Sequence, residues 1–315
     1  MVMLKTVNIL TPYYSSTIWG GHFLAAQKCW GLDNPGVLLG ESWEVSRLEN
    51  HSAKTLDGRE LTDITNGSQI PYLVKFIDTA KHLSIQVHPG DQYAMAHENS
   101  SGKSEMWTVL NAKDGAGIYL GFKDGVTKDQ FFRTASSEGE VDSLLNFYPV
   151  VAGDSFFVPA GAVHAIGAGI TLLEVQQSSG ITYRVWDWNR LGVDGRPRKL
   201  HLDKAMDVLN FDPGANSKDY FNYRSDVLNA AQLVATHSQF EVSTLVLIAE
   251  EKIKLPPSLA GRHSSIVLLD GAVKLESSDQ SFVLNPYQSA LLAREQKEEV
   301  TILSEAASSR LMIIR

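Results

Sequence analysis

From Pro71 onward the sequence alternates short runs of β-branched and aromatic residues with turns rich in glycine, proline and aspartate. Examples of these runs are PYLVKFIDT, HLSIQVHPGD and EMWTVLNAKDGAGIYLGFKDG. Short strands that are regularly separated by turn residues are typical of antiparallel sandwiches and barrels. We therefore expect a mainly β protein in which helices are short insertions.

Three segments, at 91–98, 128–146 and 202–210, have helical rather than strand character. Asp91 is of a residue type that caps helix N-termini, and Gly139 is expected to break the second segment into two short helices. The sequence thus predicts a helical insertion at about 125–147.

The length of 315 residues is enough for more than one compact domain. The segment LGVDGRPRK has the composition of a polar connection, and a second series of strands begins after it. We predict a catalytic domain at 1–200, a connecting helix and linker at 201–219, and a smaller β-domain at 220–315. The last domain contains only His237 and His263 as histidines, and neither has a ligand-like spacing, so no metal site is expected there.

The overall composition excludes several classes of partner. A net charge of −8 argues against nucleic-acid binding, which needs basic surface to neutralise phosphates. Cys29 is the only cysteine, so a metal site would need nitrogen and oxygen ligands, and a reducing cytoplasmic location is expected. The sequence shows no signal peptide and no run approaching the ~18 apolar residues of a membrane span, so no membrane association is expected. The oligomeric state stays open.

Four residues with metal-binding side chains lie in strand-forming segments. Gln86 and His88 are two positions apart, so both would face the same side of a strand. In GDSFFVPAGAVH a turn precedes His164, which a jelly roll would bring close to His88, and Glu105 begins a further strand. This nitrogen and oxygen set suits one Zn²⁺ per chain, with one or two positions left for water or substrate. The alternative is that these are hydrogen-bonded structural residues.

Four segments, LSIQVHP, GKSEMW, VPAGAVHAIGAG and TYRVWDWNR, resemble the motifs of type I mannose-6-phosphate isomerases in their short bacterial form. The resemblance continues in order over roughly 8–200. It implies a cupin-type jelly-roll barrel with a second, smaller cupin-like β-domain. It also implies zinc-dependent interconversion of mannose 6-phosphate and fructose 6-phosphate through ring opening and a cis-enediolate. The implied zinc ligands are Gln86, His88, Glu105 and His164.

The same resemblance implies pocket residues at Lys103, Arg184, Ser84 and Lys75. Lys103 would lie next to a divalent cation, which eases its use in proton transfer, although a water on the metal could serve instead. Arg184 lies in an apolar strand, where a phosphate, an enediolate oxygen or Asp187 could pair with it. Ser84 and Lys75, together with a further cation, would orient the phosphate.

The sequence leaves open the role of Glu174 and the identity of the acid that opens the sugar ring. Glu174 and Gln176 alternate on one strand face, and Glu174 is either a supporting carboxylate at the substrate or half of a cross-strand salt bridge. Many members of the family that this chain resembles carry an acidic residue where this chain has Gly180. The acid that opens the sugar ring is therefore missing from that position, or another carboxylate replaces it.

Two other functions compete with isomerisation. Two histidines and one carboxylate also describe the facial triad of an Fe(II) cupin oxygenase, formed here by His88, Glu105 and His164. Gln86 argues against this reading, because a fourth protein ligand would occupy a position that oxygen needs. A non-catalytic sugar-phosphate-binding cupin is the second alternative, and Gly180 is its main support.

Overall fold

The computed structural model describes residues 6–29, 31, 37–137, 139–255, 262–278, 280–292 and 299–315. Antiparallel strands dominate this part of the chain, so the prediction of a mainly β protein is confirmed. The strands are β1 (Val7–Thr11), β2 (Tyr13–Ser15), β3 (Glu41–Val45), β4 (Lys54–Thr55), β5 (Tyr72–Thr79), β6 (Ile85–Val87), β7 (Glu105–Ala112), β8 (Gly117–Phe122), β9 (Leu145–Pro149), β10 (Ser155–Val158), β11 (His164–Ile166), β12 (Ile170–Gln177), β13 (Tyr183–Trp186), β14 (Gln232–Thr236), β15 (Glu241–Ile248), β16 (Lys252–Leu255), β17 (Ser264–Asp270), β18 (Val273–Glu276), β19 (Ser281–Leu284), β20 (Ser289–Leu292), β21 (Val300–Ser304) and β22 (Ser308–Ile314).

The helices are short. They are α1 (Phe23–Gln27), α2 (Leu61–Ile64), α3 (Asp91–Glu98), α4 (Lys128–Ser136) and α5 (Leu202–Val208), with 3₁₀ turns at Val141–Leu144, Pro213–Ala215 and Val227–Asn229. The segment predicted at 128–146 is indeed interrupted near Gly139, and its last residues belong to β9. Among the described residues, no helix is both long and apolar enough to cross a membrane.

The prediction that Asp91 caps a helix is wrong. Gly90 occupies the cap position of α3, and Asp91 is the first helical residue. One oxygen of Asp91 instead accepts hydrogen bonds from the backbone N–H of Gly102 and from the side-chain amide of Gln177. Asp91 thus fixes the loop that leads into β7.

Two antiparallel sheets form the barrel of the N-terminal part of the chain. Their strand orders are β10-β7-β12-β5-β3-β2 and β13-β6-β11-β8-β9. Apolar side chains from both sheets pack between them, among them Trp107, Ile118, Leu120, Phe156 and Leu172. The cavity described below opens between the same two sheets.

Strand β5 shows how the first sheet is buried on both faces. Tyr72, Val74 and Phe76 pack with apolar residues of the C-terminal strands. The alternate residues Lys75 and Ile77 line the cavity inside the barrel, as the two-residue period of a strand requires. A lysine can therefore lie in the centre of a buried strand, where it needs charged partners.

Helices α4 and α5 cover the outer face of the second sheet. Phe131 of α4 and Met206 of α5 belong to the same apolar cluster as Ile85 and Val87 of β6 and Val185 of β13. This packing holds β6 and β13, the strands that carry Gln86 and Arg184, against a fixed support.

The C-terminal strands form a second pair of sheets, with the orders β14-β15-β22-β17-β20-β1-β4 and β16-β21-β18-β19. Strand β1 lies in this assembly because Val7, Asn8 and Ile9 pair with Leu292, Leu291 and Ala290 of β20. The N-terminal strand therefore ties the two ends of the chain together. The division at 1–200, 201–219 and 220–315 stays a prediction.

Candidate metal centre and active site

Gln86, His88, Glu105 and His164 converge at one end of the barrel interior. His164 begins β11 and lies directly opposite Gln86 of β6 in the strand register. Nε2 of His88 lies 3.2 Å from Oε1 of Glu105, and Nε2 of His164 lies 3.8 Å from Oε2. The candidate ligand atoms of these two histidines and Glu105 all lie within 4.8 Å of one another, and the three side chains are buried. The structure therefore brings these four predicted ligands together.

Two glycines account for local chain conformation at this site. Gly161 has a φ of +88° and its N–H donates to the carbonyl oxygen of His88 at 2.9 Å, so the turn before His164 is fastened to the segment after β6. At Gly102 a Cβ atom would lie 2.6 Å from the backbone nitrogen of Asp91. This close approach leaves no room for a side chain just before Lys103 and Glu105.

Both histidines have their ring nitrogens assigned by backbone contacts. Nδ1 of His88 donates to the carbonyl oxygen of Ile181 at 2.8 Å, and Nδ1 of His164 donates to that of Ala162 at 3.0 Å. Each Nε2 therefore keeps a lone pair facing Glu105. Burial, reinforced by the Lys103 ammonium, lowers the pKa of His88 to about 3, and burial also lowers the pKa of His164. Neutral imidazoles oriented by a backbone carbonyl are typical metal ligands.

The Glu105 carboxylate is the buried charge that a cation would compensate. Within the described residues, neither of its oxygens accepts a hydrogen bond, although the ammonium of Lys103 lies 2.6 Å from Oε1. Burial alone would raise the pKa of Glu105, but Lys103 and the two histidines hold it well below its usual range. An ionised buried carboxylate between two neutral imidazoles fits a divalent metal ion.

Gln86 lies beside this group rather than apart from it. Its side-chain amide nitrogen is 3.3 Å from Nε2 of His164, and its Oε1 accepts a hydrogen bond from the hydroxyl of Ser84 at 3.3 Å. The two ends of a glutamine amide occupy nearly the same space, so a half-turn of the amide would present oxygen to a metal at this place.

A cavity of about 240 Å³ adjoins the metal-binding group. Most of its charged and polar lining residues were predicted from the sequence. Its walls include Thr17, Trp19, Glu41, Trp43, Lys75, Ser84, Gln86, Lys103, Trp107, Glu174, Gly180, Thr182, Arg184 and Arg198. All five residues predicted as catalytic or substrate-binding, namely Ser84, Lys75, Lys103, Glu174 and Arg184, thus lie at one cavity.

Lys75 is held between two carboxylates on the first sheet. Its Nζ lies 3.7 Å from Oε1 of Glu41, 3.5 Å from Oε1 of Glu174 and 3.9 Å from the ring centre of Trp43. Burial opposes the charge of Lys75, but these carboxylates raise its pKa above the ordinary value. The ion pair between Lys75 and Glu174 is the cross-strand salt bridge considered from the sequence.

Glu174 has two differently placed oxygens. Its Oε2 accepts a hydrogen bond from the indole N–H of Trp107 at 3.0 Å. Its Oε1 is buried and accepts no hydrogen bond from any described residue. Burial, together with the charge of Glu105, raises the pKa of Glu174. The side chain is therefore a carboxylate with an elevated proton affinity at the cavity wall.

Arg184 does not pair with Asp187, which the sequence had offered as an alternative partner to the substrate. Its Nε donates to the Ser84 hydroxyl at 3.3 Å and its Nη1 to the carbonyl oxygen of Lys199 at 2.9 Å. Asp187 pairs instead with Arg190 and Arg198. Arg184 is thus free to face the cavity.

Sequence reasoning missed Trp107 and Arg198 as site residues. Trp107 stands in GKSEMW two places after Glu105, so strand alternation was the signal that could have placed it on the inner face. Arg198 lies in the segment LGVDGRPRK, which has the composition of a connection, and no local pattern links it to the cavity.

The barrel and its buried His-Glu-His group define the class: a cupin-like protein with a candidate metal centre between two antiparallel sheets. Solved structures agree on the fold. The mannose 6-phosphate isomerase of Bacillus subtilis superposes with a TM-score of 0.82 at 23% identity, over 99% of this chain and 100% of the other. A mutant of the phosphomannose isomerase from Salmonella typhimurium superposes with a TM-score of 0.74 at 16% identity, over 98% and 99%.

Curated relatives are similar in sequence as well. The mannose-6-phosphate isomerase of Streptococcus mutans is 40% identical over 214 residues, which are 64% of this chain and 66% of the relative. Two Bacillus subtilis relatives carry the same activity in their names: GmuF is 38% identical over 64% of this chain and 67% of its own length, and ManA is 37% identical over 63% and 66%. No protein-family model matches the chain. The chain belongs to the mannose-6-phosphate isomerase family, a family of aldose–ketose isomerases.

Proposed function

We propose that this protein is a zinc-dependent enzyme that interconverts mannose 6-phosphate and fructose 6-phosphate. The observation that carries the proposal is the Glu105 carboxylate, buried between His88 and His164 beside a cavity that is also lined by lysine and arginine side chains. The names of the curated relatives supply the substrate. The matched regions cover about two thirds of those relatives, so the substrate is part of this proposal.

The residues that would hold zinc are Gln86, His88, Glu105 and His164. Three nitrogen and oxygen ligands with a fourth from an amide agree with zinc's preference for imidazole and carboxylate. Zn²⁺ bound there would supply a Lewis acid that stabilises negative charge developing on the oxygens at C1 and C2 of the open-chain sugar. The residues described next would orient the sugar and move its protons.

Lys103 and Glu174 are the proposed proton-transfer groups. Nζ of Lys103 lies 2.6 Å from the Glu105 carboxylate and borders the cavity, so it is held at the end where C1 and C2 would lie. Oε1 of Glu174 accepts no hydrogen bond from a described residue, its ion pair with Lys75 is long at 3.5 Å, and its pKa is raised, which suits a carboxyl group that delivers and accepts a proton. We assign to Glu174 the ring-opening role for which Gly180 provides no side chain.

Arg184 and Ser84 would act on the substrate's negative charge. The Ser84 hydroxyl connects Arg184 to the proposed metal ligand Gln86, because it accepts a hydrogen bond from Arg184 and donates one to Gln86. A cation at this distance can stabilise an enediolate without binding the metal. Lys75, held by Glu41 and Glu174, would fix the position of both carboxylates and contact substrate oxygens.

An Fe(II) oxygenase is the less favoured reading. Gln86 lies against His164, so a fourth protein side chain stands where an oxygenase needs an open position. A binding protein without activity would not require a buried carboxyl group with a raised pKa beside the metal group. The single cysteine supports a cytoplasmic location, where sugar phosphates are found.

Steady-state kinetics across a panel of aldose phosphates tests the proposal. Zinc-loaded protein should convert mannose 6-phosphate to fructose 6-phosphate, and prior chelation should abolish the reaction. Oxygen consumption measured in parallel should be absent. Failure of the zinc-loaded protein to turn over mannose 6-phosphate would favour a binding protein, and oxygen uptake with iron would favour an oxygenase.

A further inference from the structure

Asp187 holds two arginines at the end of β13. Nε and Nη2 of Arg198 donate to its two oxygens at 2.6 and 2.5 Å, and Nε and Nη2 of Arg190 donate to Oδ1 at 3.0 and 2.8 Å. Arg184 lies three residues earlier, in β13, and donates its hydrogen bonds elsewhere, so Asp187 is bound by two of these three guanidinium groups. Burial, with the charge of Arg198 as the next contribution, lowers the pKa of Arg184, as expected for cations without enough counter-charge.

The two arginines bound to Asp187 differ in how many of their guanidinium nitrogens have hydrogen-bond partners. Arg190 also donates through Nη1 to the carbonyl oxygen of His82 at 2.6 Å, so all three of its nitrogens have partners. Nη1 of Arg198 and Nη2 of Arg184 have no partner among the described residues. Arg184 and Arg198 line the cavity, whereas Arg190 is not among its described lining residues.

The two ends of the cavity differ in chemistry, as do the two ends of the proposed substrate. Hydrogen bonds run from Ser84 to the proposed metal ligand Gln86 and from Arg184 to Ser84, and Arg198, which also lines the cavity, is near enough for its charge to act on Arg184. In an open-chain hexose 6-phosphate the reacting carbons and the phosphate lie at opposite ends of the carbon chain. The phosphate therefore matches the arginine end when C1 and C2 lie at the metal end.

We propose that Arg198 is the phosphate-binding residue that selects a phosphorylated sugar over a free one, and that Asp187 is the positioning residue that presents its free Nη1 to the cavity. A planar guanidinium fixed on one edge presents its other edge to a dianion with little loss of side-chain freedom. This inference rests on the proposed function for the identity of the sugar, but not for the phosphate chemistry.

Arg198→Gln and Arg190→Gln form a matched pair for the test, because both remove one ion pair with Asp187 and only the first removes a cavity cation. Binding of inorganic phosphate is measured by calorimetry on metal-free protein, and KM and kcat for mannose 6-phosphate on zinc-loaded protein. Arg198→Gln should weaken phosphate binding and raise KM by about 10- to 100-fold, as for a lost charged hydrogen bond. Its kcat should change far less, and Asp187→Asn should shift KM in the same direction.

Arg190→Gln should leave phosphate affinity and KM within about twofold of wild type, as for a residue outside the cavity. Arg198→Lys keeps a cation for Asp187 and serves as the test if Arg198→Gln does not fold. It should weaken phosphate binding and raise KM by less than Arg198→Gln. Equal phosphate affinity in wild type and both Arg198 variants would overturn the inference. Because calorimetry needs no turnover, an inactive wild-type protein would refute the proposed reaction and leave the phosphate-binding result to be judged separately.

Discussion

The carbonyl oxygen of Ile181 accepts a hydrogen bond from Nδ1 of His88 at 2.8 Å. Ile181 belongs to the segment that joins β12 to β13, next to Gly180 and Thr182 at the cavity wall. One backbone contact therefore orients a candidate metal ligand and fixes the wall that the substrate would meet. We therefore expect metal binding and substrate binding to be coupled through this segment.

Replacing His88 by Ala should remove metal from the purified protein. The imidazole is buried, and the hydrogen bond of its Nδ1 to Ile181 leaves Nε2 available as the ligand atom that alanine would remove. The matched control is His237→Ala, because His237 lies in the C-terminal part of the chain and its Nδ1 accepts a hydrogen bond from the nearby backbone N–H of Gln239. Elemental analysis after dialysis should find metal in the control and in wild type but not in His88→Ala. Equal metal content in the two variants would contradict the assignment.

Lys103→Met should separate proton transfer from metal binding. The substitution keeps the length of the side chain and removes an ammonium that lies 2.6 Å from Glu105. We expect kcat to fall by about 10²- to 10⁴-fold, as for loss of a general acid–base group, while metal remains bound. The exposed Lys123 provides a control substitution of the same kind. An unchanged kcat in Lys103→Met would exclude Lys103 from the reaction.

Glu174→Gln and Gly180→Asp together test which group opens the sugar ring. Glu174→Gln should lower kcat by about 10²-fold or more, since an amide cannot exchange the proton. Among the described atoms, a Cβ atom at Gly180 would meet the Leu48 side chain at an ordinary contact distance of 3.6 Å, so a side chain can start from this position without a clash. Gly180→Asp should give no faster reaction than the Gly180→Ala control if Glu174 performs the step, as we propose. A clear gain in kcat with Gly180→Asp would show instead that the missing acid limits this enzyme.

The ion pairs of Asp187 predict a loss of stability in acid. Burial raises the pKa of this carboxyl, but hydrogen bonds from Arg198 and Arg190 outweigh burial and place it below the ordinary value. A lowered native pKa means that the stabilisation is present above the unfolded-state pKa of ~3.9 and is lost as pH falls through the native pKa. Asp187→Asn should therefore melt at a lower temperature than wild type at pH 7, and the difference should shrink on acidification below about pH 4. A difference that is constant with pH would argue against an ionised Asp187.

Strand periodicity and pairing made the metal group predictable from the sequence. The two-residue period of a strand was enough to predict that Gln86 and His88 share one face. Placing His164 beside them also required the expectation that a turn returns the next strand to the same face. The partners of Lys75 were harder to predict from the sequence. Glu41 and Glu174 approach Lys75 from the two neighbouring strands of the first sheet, and the sequence does not specify the register of those strands.

Other features depend on contacts between distant parts of the chain. Arg198 lines the cavity and pairs with Asp187, and the sequence around neither residue indicates this pairing. Strand β1 joins β20 across most of the chain length, which no local signal reports. Helices α1 and α2 are only five and four residues long, too short to show helical periodicity.

The proposed zinc centre is tested by the isomerase activity of metal-depleted and zinc-restored protein, measured side by side with that of His164→Ala. His164 supplies Nε2 to the group with its Nδ1 already bound to a backbone carbonyl, so alanine removes a ligand and little else. Wild type should lose mannose 6-phosphate isomerisation on metal removal and regain it with zinc, whereas His164→Ala should stay inactive in both states. Full activity in metal-free wild type, or in His164→Ala, would contradict the account.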